Sequence, residues 1–148
     1  MTNGGPQLIV VGVDGSTESV AALRWAGEYA GATGARLRAV LAWHYPSAVG
    51  PAPVGVAPAS ISNEVRASMT EHLMTAIAEA SPGVDVEQQI GYGHPAEVLV
   101  GQSEEADLLV VGNRGHGAFT GMLVGSVSIH CVTHALCPVV VVRGRGGH

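Results

Sequence analysis

Runs of apolar, mostly β-branched residues alternate along this chain with stretches in which apolar residues recur at helical spacing. Residues 8–13 form a nearly continuous apolar run, which predicts a strand buried on both faces of a parallel sheet. Ser16 follows as a candidate N-cap, and apolar positions from Val20 onward predict the first helix. Gly34 marks the end of that helix, and residues 37–43 predict the second strand. The chain therefore opens with a strand, a helix and a strand.

The same alternation continues to the other end of the chain. An i, i+4 stripe from Ile61 to Ile77 predicts an amphipathic helix, which Pro82-Gly83 ends. Residues 84–90 alternate apolar and polar positions, which is typical of a strand near a sheet edge. After a turn at residues 91–94, Pro95 fits the first position of a third helix. A strand, a helix and a strand are then predicted at residues 107–111, 125–135 and 139–143.

Strands that alternate with helices predict an α/β fold: a single domain over residues 1–148 with an open, parallel, five-stranded sheet of Rossmann-like type. The expected strand order is 3-2-1-4-5, with helices on both faces. Residues 44–60, which hold four prolines, are expected to be a long mobile loop, and residues 144–148 a flexible tail. In this order strands 1 and 4 are neighbours, so their carboxyl ends, at Asp14 and Gly112, predict one ligand crevice.

Composition excludes several classes of function. The net charge is −5 with only 7 Lys and Arg residues, which argues against a nucleic-acid partner. No apolar run approaches the ~20 residues that span a bilayer, and no secretory signal pattern is present, so no membrane partner is expected. Two cysteines in a chain of this size favour a reducing compartment, and a cytoplasmic location is expected.

Two glycine-rich points lie close to the predicted fourth strand and the last helix. They form the pattern Gly112-x2-Gly115-x9-Gly125-Ser126. Backbone at glycine can approach a phosphate closely, and the N–H groups of a helix's first turn supply donors and partial positive charge. The spacing therefore predicts a phosphate-binding loop for a nucleotide, ATP before others.

Four further segments accompany this motif, at residues 10–16, 91–95, 106–112 and 137–143. In this order the motif and the segments resemble the universal stress protein family: its ATP-binding motif, first strand and acidic turn, turn into the third helix, and last two strands. The resemblance covers nearly the whole chain except residues 44–60. It implies an adenine nucleotide alpha hydrolase-like fold and the branch of the family that binds ATP, with or without Mg²⁺.

The resemblance also implies three groups of nucleotide contacts and a partner. The groups on the ribose and adenine side are those of Gly12, Val13, Asp14 and Ala42, with Asp14 accepting from ribose hydroxyls. The groups around the phosphates and ribose are those of Val111, Gly112, Arg114 and Gly115. N–H and hydroxyl donors to the phosphates come from Gly125, Ser126, Val127 and Ser128. The implied partner is a second copy of the chain, in a homodimer through the strand from Val139 to Arg143.

The expected function is that of an ATP-binding regulatory protein of the stress response with slow or no ATP hydrolysis. The chain lacks the G-x-x-x-x-G-K-[ST] loop, and no general base is evident for efficient phosphoryl transfer. The alternative is an α/β enzyme that uses a nucleotide for adenylation or phosphoryl transfer, although the S-G-G-x-D-S loop of one such class is absent. A receiver domain would need acids and a lysine at strand ends that carry other residues here.

A cluster of potential metal ligands lies near the last helix, formed by His130, Cys131, His134 and Cys137. His130 and His134 share a helix face, which is compatible with zinc, but Cys131 points elsewhere and the usual C-x2-C pair is missing. Histidine near a helix C-terminus is also favoured by the helix dipole. We interpret these residues as structural and expect no metal.

Overall fold

A computed structural model describes residues 7–43, 63–113 and 125–143. Strands and helices alternate through these ranges: β1 Leu8–Gly12, α1 Thr17–Thr33, β2 Arg36–Trp43, α2 Asn63–Ala80, β3 Val86–Tyr92, α3 Pro95–Gln102, β4 Leu108–Gly112, α4 Ser126–His134 and β5 Val139–Val142. The strands form one parallel sheet in the order β3-β2-β1-β4-β5. The predicted α/β fold and strand order are confirmed. The loop and tail predicted at residues 44–60 and 144–148 lie outside the described ranges.

Each face of the sheet carries its own apolar core. Ile9 and Val11 of β1 belong to a cluster with α1 and α2, whereas Leu8 and Val10 belong to a second cluster with α3 and α4. We call these sides the α1/α2 face and the α3/α4 face. Because successive side chains of a strand point to opposite faces, a strand covered on both sides must be apolar at every position. This is why β1 is a continuous apolar run.

The ends of α1 follow the sequence signals. Ser16 is the N-cap, and its hydroxyl accepts a hydrogen bond from the Ser19 backbone N–H. At the other end Gly34 has φ +76°, and its N–H donates to the Ala30 carbonyl. Glycine adopts this left-handed backbone conformation readily, because it has no Cβ. Within the described parts of the chain, no helix is long and apolar enough to cross a membrane.

The third strand lies two residues further along than its predicted position. The alternation placed it at residues 84–90, but β3 spans Val86–Tyr92. Gly91 and Tyr92, predicted as turn residues, pair in register with Ala42 and Trp43 of β2. The rings of Trp43 and Tyr92 also contact each other, with centroids 5.2 Å apart. Pairing with β2 and this ring contact outweigh the weak strand propensity of glycine, so the turn begins only at Gly93.

Candidate functional site

The turn after β1 holds an acidic side chain at the carboxyl edge of the sheet. Asp14 Oδ1 accepts hydrogen bonds from the Ser16 backbone N–H, at 3.0 Å, and from the Ser16 hydroxyl, at 2.6 Å. The Asp14 N–H donates to the Ser19 hydroxyl at 3.3 Å, and Gly15 takes φ +85°. Asp14 therefore shapes the entry to α1 through Oδ1, and the residue is exposed at the carboxyl edge of the sheet. Its contact with a ribose stays a prediction.

Two hydrogen bonds tie the end of β4 to the start of α4. The Gly125 N–H donates to the Asn113 carbonyl, and the Ser128 hydroxyl donates to the Gly112 carbonyl. Asn113 is in turn anchored to β5, since its N–H donates to the Val142 carbonyl at 2.8 Å. The first and last glycines of the motif are thus held side by side. Arg114 and Gly115, which the sequence places between them, lie outside the described residues.

The first turn of α4 begins at this junction. Gly125 is the N-cap, with φ −77° and ψ 169°, and no side chain is available there to cap the first-turn N–H groups. Ser126 at the helix start is exposed, and Val127 beside it is half-buried. Ser128 is only 3% exposed. The Ser128 hydroxyl is predicted to donate to a phosphate. In this structure it donates to the Gly112 carbonyl and so connects the helix to β4.

The predicted nucleotide contacts divide between the two faces of the sheet. Gly12 points to α3, because a Cβ built on it would lie 2.6 Å from Leu99 Cδ1. Ala42 follows Val40 on the same α3/α4 face, by the two-residue period of β2. Val111 belongs to the core of that face as well. Three of the predicted contacts, Gly12, Ala42 and Val111, therefore lie on the α3/α4 face.

Gly112 and Val13 lie on the other face of the sheet. A Cβ at Gly112 would lie 2.8 Å from the Glu18 carbonyl carbon, so the end of β4 contacts the backbone of α1 directly. Val13 is 5% exposed and packs in the α1/α2 core. Its N–H donates to the Val40 carbonyl at 2.9 Å, which extends the pairing with β2 beyond the last residue of β1. Through these contacts on the α1/α2 face, Val13 positions the Asp14 turn and Gly112 positions the start of the glycine motif.

A cleft of about 410 Å³ opens beside the Asp14 turn on the α1/α2 face. Val13, Asp14, Gly15 and Leu41 form one wall, and the other is α2, through Met69, His72, Thr75, Ala76 and Glu79. No prediction from the sequence assigned α2 to this cleft. The signal was present, since the lining positions of α2 recur three and four residues apart and so share one helix face.

The potential metal ligands near α4 are not arranged around one point. The rings of His130 and His134 contact each other, with centroids 4.5 Å apart. Cys131 is fully buried in the core of the α3/α4 face, and burial, with a smaller contribution from Cys137, raises the pKa of its thiol to about 11. A protonated thiol is a poor zinc ligand. Across the three described ranges, no group of three or more His, Cys, Asp or Glu side chains could hold a metal ion.

Comparison with known proteins gives a consistent result. The model of the universal stress protein family matches residues 6–143. A universal stress protein of Mycolicibacterium smegmatis is 35% identical over 137 residues, which are 93% of this chain and 46% of that protein. One of Mycobacterium tuberculosis is 38% identical over 135 residues, 91% of this chain and 45% of the other. The chain thus spans about half the length of the curated relatives it matches.

A solved structure shares the fold over the same extent. It is a universal stress protein in complex with cAMP, 30% identical, with a TM-score of 0.69. The alignment covers 94% of this chain and 98% of that one. The likeness therefore extends over nearly the whole of both chains.

Proposed function

Because this chain belongs to the universal stress protein family, we propose that it is an ATP-binding regulatory protein of the stress response that hydrolyses ATP slowly or not at all. The observation that carries the proposal is the junction of β4 and α4, where Gly112, Asn113, Gly125 and Ser128 are linked by hydrogen bonds. It brings the two ends of the glycine motif to the N-terminus of a helix, which is a favourable place for phosphate.

In the proposed complex the nucleotide lies across the carboxyl edge on the α3/α4 face. The adenine lies near Ala42 and Gly12, and the ribose hydroxyls donate to Asp14. The phosphates accept hydrogen bonds from the N–H groups of Ser126 and Val127, from the Ser126 hydroxyl, and from the residues of the motif, including Arg114 and Gly115. A solved relative that holds cAMP supports an adenine nucleotide, and the glycine motif supports a chain of phosphates over a single one.

The charge of the protein agrees with a site built from backbone donors. The chain has a net charge of −5 and contains no lysine. A polyanion must therefore be held by N–H groups, the helix dipole and arginine rather than by a basic surface. Because the chain contains no lysine, it also lacks the lysine with which P-loop enzymes contact the phosphates. We therefore expect ATP binding without efficient phosphoryl transfer, because transfer needs positive charge positioned on the phosphoryl group that is transferred.

We expect Ser126→Ala to weaken ATP binding and Ser128→Ala to lower the stability of the protein. Ser126 is exposed at the helix start, and its loss should raise the Kd for ATP about ten-fold with no change in stability, since a hydrogen bond to a charged group contributes roughly 1.5–3 kcal/mol. Loss of the Ser128 hydroxyl leaves the Gly112 carbonyl without its donor and should lower the free energy of unfolding by about 1 kcal/mol. Calorimetric titration and urea unfolding measure the two effects.

Thr133→Ala is a suitable control for both serine variants. Its hydroxyl donates to the Ile129 carbonyl within α4, far from the helix start, and Thr133 is exposed. It should bind ATP as the unmodified protein does. ATP binding that is unaltered by Ser126→Ala, with full stability, would remove the Ser126 hydroxyl from the site. An unmodified protein that does not bind ATP in the same titration would contradict the proposed function.

We further propose that two copies of the chain pair through β5. This strand is the last in the sheet, and Val139–Val142 is half-buried on both faces. The carbonyls of Pro138 and Val142 accept hydrogen bonds from β4. By the two-residue period of a strand, the N–H and C=O groups of Val139, Val141 and Arg143 point away from β4. An edge of this kind is a template for a second strand.

Val141→Pro is expected to convert a dimer into a monomer without unfolding the protein. It removes an outward N–H and leaves the hydrogen bonds between β4 and β5 in place, and proline is tolerated at such edge positions. Size-exclusion chromatography with light scattering gives the mass. A dimer that persists in a well-folded Val141→Pro variant shows that the interface lies elsewhere.

A cytoplasmic location is part of the same proposal. Cys131 and Cys137 are free thiols in this structure, which suits a reducing compartment.

A further inference from the structure

The cleft on the α1/α2 face is a second concave site beside the Asp14 turn. Its volume of about 410 Å³ falls within the range of small-molecule pockets, about 300–1,000 Å³. Its floor is apolar: Val13 and Ala76 are 5% and 3% exposed, and Leu41 and Met69 are half-buried. A floor of this kind favours a ligand with an apolar body, because burying that body removes its surface from water.

The rim of the cleft is polar and acidic. Asp14 stands on the strand side, and Glu79, His72 and Thr75 stand on α2, all of them exposed. The residues that line the cleft include two carboxylates and no lysine or arginine. The guanidinium of Arg24 donates to the carbonyls of Glu79 and Ala80 at the end of α2. The rim therefore attracts a cation and repels an anion.

The cleft is distinct from the crevice proposed for the nucleotide. The crevice lies on the α3/α4 face, next to Gly12, Ala42 and the start of α4, and the cleft lies on the other side of the sheet, under α2. Val13 and Asp14 line the cleft and are also predicted nucleotide contacts. Since two carboxylates border the cleft, a triphosphate is disfavoured there by charge.

From the apolar floor and the acidic rim we infer that this cleft binds a small organic cation with an apolar body, an amine of the size of an arylalkylamine. The apolar part lies on Val13, Leu41 and Ala76, and the ammonium group faces the carboxylate of Glu79 at the rim. Val13 of the floor is also a predicted nucleotide contact, but Glu79 is not, and the probes are titrated without nucleotide. The inference can therefore be tested independently of the proposed function.

The test compares three probes that share one apolar body: phenethylammonium, the neutral 2-phenylethanol and the anionic phenylacetate. Each is titrated into the ¹⁵N-labelled protein without nucleotide, and amide shifts are recorded. We expect phenethylammonium to shift the amides of residues 13–15 and of α2 between Met69 and Glu79. The alcohol should shift them more weakly, and phenylacetate should leave them unchanged.

Two variants and a control locate the effect. Glu79→Gln should raise the Kd for phenethylammonium about three-fold, the size expected for an exposed ion pair, and Thr75→Phe should abolish binding by filling the cleft. Glu104→Gln makes the same charge change after α3, on the opposite face, and should have no effect. If Thr75→Phe does not fold, the comparison of Glu79→Gln with Glu104→Gln still decides.

Three results would overturn the inference. One is that phenylacetate shifts the same amides as strongly as the cation, since an acidic rim forbids this. Another is that millimolar phenethylammonium leaves residues 13–15 and α2 unchanged. The third is an equal Kd for Glu79→Gln and the unmodified protein. Loss of ATP binding in other variants has no bearing on these outcomes, so failure here and failure of the proposed function are separable.

Discussion

Gly112→Ala is expected to raise the Kd for ATP at least about ten-fold and to lower the free energy of unfolding by about 2 kcal/mol. A Cβ at this position would lie 2.8 Å from the carbonyl carbon and 2.9 Å from the carbonyl oxygen of Glu18. These are backbone atoms of the first turn of α1, which cannot rotate away. The end of β4 must therefore shift, and with it the carbonyl that accepts from Ser128. Because this bond connects β4 to α4, the start of α4 loses its position.

Gly12→Ala is the matched control for this variant. Gly12 ends the neighbouring strand, and its Cβ would lie 2.6 Å from Leu99 Cδ1, the end of a flexible side chain. A change of the Leu99 rotamer relieves that contact, so we expect a loss of stability below about 1 kcal/mol. Urea unfolding and calorimetric titration with ATP compare the two. If Gly112→Ala binds ATP as tightly as the unmodified protein does, contact between β4 and α1 does not position the phosphate site.

Gly27→Ala is expected to destabilise the protein by about 3 kcal/mol, the largest change in stability that we predict. Gly27 lies in α1, where α1 meets the turn between α2 and β3. A Cβ there would lie 2.5 Å from the Pro82 carbonyl oxygen and 2.7 Å from Pro82 Cα. Both are backbone atoms of a rigid residue, so α1 and the turn must separate, which opens the core between α1 and α2.

Gly31→Ala, one turn further along α1, should have the opposite effect. Its Cβ would lie 3.6 Å from Val84 Cγ1, an ordinary van der Waals contact. Alanine favours a helix over glycine by up to about 1 kcal/mol, so we expect a small gain in stability. Thermal or urea unfolding of the two variants gives the sign directly. Equal destabilisation by both would show that glycine acts in α1 through something other than this close approach.

Much of the fold follows from local pattern. The continuous apolar run of β1 requires cover on both faces of a sheet, and the alternation with helices then favours parallel strands. Ser16 and Pro95 mark the helix starts through chemistry that their own side chains supply, and the structure has α1 and α3 begin there. In the same way the glycine motif indicated the end of β4 and the start of α4, because glycine spacing is a property of the chain alone.

The features that the sequence did not predict have a common physical cause. β3 lies at Val86–Tyr92 because Gly91 and Tyr92 pair with β2, and the partner of a strand is not visible in its own residues. Ser128 faces the Gly112 carbonyl, which is 16 residues away in sequence. The helix face of Met69, His72 and Glu79 is periodic, but periodicity does not say what the face will meet.

The residues of this chain therefore specify the type and order of its elements and the family, and they predict where a phosphate would bind. Those properties depend on short-range spacing, which a sequence contains in full. Folding specifies the rest: which face of the sheet each strand residue occupies, the contact of Gly112 with α1, and the acidic cleft between the Asp14 turn and α2. These arise from packing between segments far apart in the chain, and such contacts exist only once the sheet has brought the segments together.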